Sequence, residues 1–73
     1  MDAGQIRSAM GRTVRVTGGV ASATGELQEA REVTISVGLW GGEQVEKANG
    51  NWYLTIDGHT REWSEGAELE VLD

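Results

Sequence analysis

The sequence predicts a small, mostly β domain: an antiparallel barrel or strongly bent sheet of five or six strands, SH3-like in outline, behind a short N-terminal helix. Three observations predict it. Apolar and polar residues alternate with period two in several runs spaced like strands and turns. Eleven glycines and no proline punctuate the chain. Two strong turn dipeptides, Asn49-Gly50 and Asp57-Gly58, bracket one of the clearest runs. The 73 residues, 1 to 73, read as a single domain.

Residues 2–10 predict a helix. Asp2 is placed to cap it, Gln5 stands where a capping box needs it, and Gly11 supplies a stop. Ile6 with Ala9 or Met10 gives a narrow apolar stripe, too short to hold without docking on a sheet. Residues 12–17 then alternate, with Val14 and Val16 on one face and Thr13, Arg15 and Thr17 on the other. Residues 18–30 are rich in small and polar side chains and read as a long loop, or as an irregular hairpin with a helical turn over 26–31.

Period two resumes at residues 31–40, where Val33, Ile35 and Val37 are expected to face inward and Gly38 to mark a bulge or bend. Gly41-Gly42 punctuates, and a weak strand surrounds Val45. Residues 51–56 form the next strand, 59–63 return from the Asp57-Gly58 turn, and a last strand places Leu69 and Val71 on one face. A two-residue turn at Asp57-Gly58 pairs Ile56 with His59, Leu54 with Arg61 and Trp52 with Trp63. A three-residue turn instead brings Tyr53 near Trp63 on the other face, since a slip of one residue reverses the faces.

Composition narrows the chemistry. Twelve acids against six bases give a net charge of -6, the wrong sign for binding nucleic acid or anionic lipid. No apolar run approaches the length of a signal peptide or membrane span, so the expected location is the cytoplasm. With no cysteine and one histidine, neither a disulfide framework nor a zinc site is expected. The glycines lack the spacing of a phosphate loop, and no serine, histidine and acid are placed as a triad. No catalytic residue, metal ligand or cofactor is assigned.

Recognition is the remaining class. Large apolar side chains are few, so three tryptophans that can each bury about 150–250 Å² matter greatly in a chain this small. Trp52 alternates with Leu54 and Ile56 and is expected in the core. Trp40 stands at a strand end before two glycines, and Trp63 ends its strand beside Arg61 and Glu62. Trp40, Tyr53, Arg61, Glu62, Trp63, Glu65 and Glu68 are therefore the expected partner-binding residues: an aromatic ribbon with an acidic edge, Trp63 partly exposed within it. Residues 62–73 hold five acids and no base, while Arg7, Arg12 and Arg15 stand near the start. That acidic run reads as a solvated strand face, as a complement to those arginines, or as a docking edge for a basic protein.

Two functions fit. The first is a non-enzymatic interaction or inhibitory accessory protein of bacterial or phage type that binds a protein partner, a basic one by charge. The second is a homo-oligomer that builds small-ligand or catalytic sites between subunits.

Overall fold

The computed structural model describes residues 1–19 and 21–73. Val20, within the segment read as a loop, lies outside the described residues. The element order is α1 (Ala3–Ala9), β1 (Thr13–Gly18), β2 (Ala21–Gly38), β3 (Gln44–Ile56), β4 (His59–Trp63) and β5 (Glu68–Val71). All pairings are antiparallel, and the strands lie in the order β4-β3-β2-β1-β5.

The expected barrel is not formed. The sheet is open, with β4 and β5 at opposite edges and no ladder between them, so the SH3-like outline does not hold either. The reason lies in β2 and β3. Their 18 and 13 residues are continuous strands where the sequence suggests a loop plus a strand and two short strands. Residues 21–30, read as loop or helical turn, are strand, because small side chains do not prevent backbone pairing. The Asn49-Gly50 turn is likewise absent as a chain reversal. It is an irregularity inside β3, where the register passes from Glu32↔Trp52 to Thr34↔Ala48. Asn49 Oδ1 accepts from the Asn51 N–H at 2.9 Å and Gly50 takes φ +87°, so turn chemistry is used to build a bulge.

The helix and the other turn follow the sequence closely. Asp2 caps α1 by accepting from the Gln5 N–H at 2.8 Å. The Gln5 side chain does not close a capping box; it donates to the Leu69 carbonyl at 2.9 Å and fixes α1 to β5. Asp57 (φ +50°) and Gly58 (φ +79°) form a two-residue reversal, which selects the register with Trp52 opposite Trp63.

The core lies between α1 and one face of the sheet. Ile6 and Ala9 of the helix meet Val14, Val16, Leu27, Leu54, Ile56, Trp63 and Leu69, all buried. Ala67, in the short link from β4 to β5, is buried with them. That link passes so close to the end of β1 that a Cβ on Gly18 would sit 3.0 Å from the Ala67 Cβ. The amino group of Met1 holds it from outside, donating to the Glu65 and Ala67 carbonyls at 2.9 Å each. No helix among the described residues is long and apolar enough to cross a membrane.

A polar knot ties the β3–β4 turn to β2. The Glu26 N–H donates to Asp57 Oδ1 at 3.0 Å, the Asp57 N–H to the Glu26 carbonyl at 3.2 Å, and the Gly58 N–H to Gln28 Oε1 at 2.7 Å. Gly25 makes room for it, since a Cβ there would overlap the Asp57 carboxylate. Gly25→Ala should therefore displace the carboxylate and cost about 1–3 kcal/mol in a urea melt, by orphaning the Glu26 N–H. Asp57→Asn keeps an acceptor and a residue at home with positive φ, so its melt should lie within about 1 kcal/mol of the parent.

Candidate functional site

The outer halves of β2 and β3 leave the body of the protein. β1 pairs with β2 only as far as Glu26, and β4 pairs with β3 only from Trp52 to Ile56. Residues 34–38 and 44–48 consequently pair with each other alone, as a two-stranded ribbon that contributes to the 50 Å long axis of the molecule. Its sequence explains its formation: Thr34, Ile35, Val37 and Val45 are β-branched. Gly41 and Gly42, at φ +92° and +82°, turn the chain, with the Leu39 N–H donating to the Glu43 carbonyl at 2.7 Å.

Directly opposed residues share a face, so Val37 with Val45 and Ile35 with Lys47 line one side, and Leu39 continues it. The other side is polar, with Thr34, Ser36 and Glu46. The apolar side lacks cover. Ile35 is 48% exposed, Leu39 43%, Val45 38%, and Trp40 at the tip is 102% exposed, as open as in an extended peptide. Of Val33, Ile35 and Val37, all expected to face inward, Ile35 is exposed and the two valines are part-buried, because no further element covers this end of the sheet among the described residues. Summed, the patch exposes on the order of 400–500 Å², a size at which surface patches on small proteins are commonly functional.

The residues expected to bind a partner do not form one surface. Trp40 is at the ribbon tip, roughly 25–30 Å along β3 from Tyr53 by strand rise. Tyr53 lies on the face opposite Trp52 and Trp63, with the Arg31 guanidinium 5.3 Å from its ring centre and Glu62 directly across from it. Glu62 accepts from Asn51 Nδ2 at 3.0 Å, and the Glu65 carboxylate lies against Gly50, so both acids brace the β3 bulge. Glu68 is exposed on β5, across the sheet from β4. Arg61 and Trp63 do come together, with the guanidinium 5.6 Å from the ring centre.

The two paired tryptophans exchange their expected roles. Trp63 is the buried one, 4% exposed, whereas Trp52 is half-buried and packs against the core margin. β4 is an edge strand, but its last residue is roofed by the link carrying Ala67, which sequence position alone does not disclose. Trp63 Nε1 is the one buried side-chain polar atom among the described residues without a hydrogen-bond partner.

Charge and metal chemistry add little. Among the described residues the one ion pair is Arg15–Glu70 at 3.6 Å, exposed on both sides and of small energetic weight. It gives the acidic C-terminal stretch a partial complement in Arg15. No group of three or more His, Asp or Glu is gathered to hold a metal ion among the described residues. Sequence reasoning reached Trp40 but missed Ile35, Leu39 and Val45. Their signal was an apolar alternation running up to Gly41-Gly42 with no third strand beside it.

Against protein-family models, curated proteins and solved structures, the chain shows no significant match. The geometry therefore carries the functional reading by itself.

Burial orders the three tryptophans energetically. Trp63→Ala should cost about 3–5 kcal/mol by urea denaturation, Trp52→Ala clearly less, and Trp40→Ala within about 0.5 kcal/mol of zero. A Trp40→Ala protein that melts like the Trp63→Ala protein would contradict the exposed placement of the ribbon tip.

Proposed function

We propose that this protein is a non-enzymatic interaction module of the cytoplasm that docks on a protein partner through the apolar face and tip of the β2–β3 ribbon. The observation that carries this reading is the full exposure of Trp40 next to Leu39, Ile35 and Val45. A two-stranded hairpin on its own is marginal in water, and three strands or a packed partner are what normally sustain one. A ribbon with one apolar face and no third strand gains most from a partner that covers that face. Tryptophan at the centre of such a contact is the side chain with the largest payoff on desolvation.

Charge fits the contact. Residues 33–48 hold Glu43, Glu46 and Lys47, so the ribbon is nearly neutral while the rest of the molecule carries most of the net charge of -6. The acids speed encounter with a basic partner, and the neutral ribbon forms the dry contact. Glu62 and Glu65 are assigned bracing of the bulge at the ribbon's base, Tyr53 the stacking with Arg31 beside it, and Glu68 a place in the acidic field.

The test is paired capture from extract of the native cell with wild-type and Trp40→Ala protein, followed by calorimetry on the purified partner. Trp40→Ala should weaken binding by at least about 2 kcal/mol, roughly thirtyfold, with its urea melt unchanged. Sedimentation of both proteins over a hundredfold concentration range decides whether the partner is a second copy. A partner bound equally by both proteins would move the contact off the ribbon.

A further inference from the structure

A second concave feature lies away from the ribbon, on the core face beside β4. It is an open groove of about 560 Å³, within the range of small-molecule sites. Its floor is Leu54 and Ile56, both buried, and one wall is the start of β2 at Ala23. The opposite wall is the inward-alternating set of β4: His59, Arg61 and Trp63. The groove exists because β2 is built of small side chains there. Ala23 and Gly25 oppose Val16 and Val14 of β1 and add little bulk above the floor.

The polar groups are arranged unevenly along it. Asp57 lies at the turn end, with its carboxylate already accepting from the Glu26 N–H. Arg61 stands two residues further along β4 than His59, exposed, and has no carboxylate within ion-pair distance among the described residues. Its guanidinium lies over the Trp63 ring instead. Trp63 Nε1 has no acceptor. An unspent cation and an unspent buried N–H on neighbouring residues of one strand form a donor pair without its acceptor. Beside them is an apolar floor.

The geometry points to a binding site for a small monocarboxylate with an apolar tail. The carboxylate lies at the Arg61–Trp63 end, away from the like charge of Asp57, and takes guanidinium N–H donors. The long Arg61 side chain, the flexible cover of the Trp63 ring, moves aside so that the second oxygen accepts from Trp63 Nε1. The tail runs along the groove towards the part-exposed Ala23, above the closed layer of Leu54 and Ile56, and burial of a few of its methylenes supplies the rest of the affinity. This site shares no residue with the ribbon and stands independently of the proposed partner contact.

The experiment uses octanoate as probe, with acetate (head without tail) and 1-octanol (tail without head) as controls. The readout is the three indole N–H resonances of the 15N-labelled protein. Octanoate should shift the Trp63 resonance along a saturating curve and leave that of Trp40 in place. Acetate and 1-octanol should each need at least tenfold higher concentration. Arg61→Gln, an exposed change expected to leave the urea melt intact, should weaken octanoate at least tenfold, and Ala23→Leu should abolish saturation by filling the groove. An unmoved Trp63 resonance up to the solubility limit overturns the site. So does saturation unchanged in Arg61→Gln, or 1-octanol equal to octanoate.

Discussion

The whole architecture depends on β2 changing company at Leu27. Up to Glu26 the strand is paired with β1; beyond it, β3 is its one partner. Leu27 is fully buried at the exchange, its N–H donating to the Arg12 carbonyl at 3.0 Å and its carbonyl accepting from the Gly11 N–H at 2.9 Å. The register shift that follows bends β2 just where the β3–β4 turn is bonded to it. A strand of 18 residues cannot be covered along its length by a body this small. Its first third closes the core, and its last third is left over as the ribbon.

That division separates a packed body from an exposed apolar ribbon. Stability resides near α1, β1, β5, the first part of β2 and the inner ends of β3 and β4, where the buried side chains among the described residues are found. The ribbon over residues 34–48 holds no buried side chain, so a change there touches nothing in the core. The aromatic residues follow the same division. Trp63 serves packing, Trp40 serves the surface, and Trp52 with Tyr53 marks the seam between them. The bulge at Asn49-Gly50-Asn51 sits at this seam, held by Glu62 and Glu65.

Much of this was legible in the residues. The helix with its Asp2 cap, the alternation of β1, the last strand at Leu69 and the Asp57-Gly58 reversal all rest on local chemistry, and local chemistry is what a sequence displays. Asn49-Gly50 shows the limit. The same side-chain-to-backbone bond and the same positive φ serve a chain reversal or a bulge, and the choice belongs to the paired strand. The expected barrel rests on the same ambiguity, since two long strands that look in sequence like several short ones mimic barrel spacing. Trp63, expected partly exposed, is buried, and Ile35, expected to face inward, is exposed, for a related reason. Alternation assigns a face, but a face is buried only where another element lies over it.

The span between β1 and β5 bears on the order in which the molecule assembles. Val14 pairs with Val71, so the two strands meet across nearly the entire chain and must close that loop before their contacts return anything. The β2–β3 hairpin closes over the five residues 39–43 and faces no such delay. Closing five residues costs far less chain entropy than closing the span from Val14 to Val71, so pairing along the ribbon is the less costly step of assembly. The open edges of the ribbon, which no third strand covers among the described residues, are where wrong pairing can begin before the core closes.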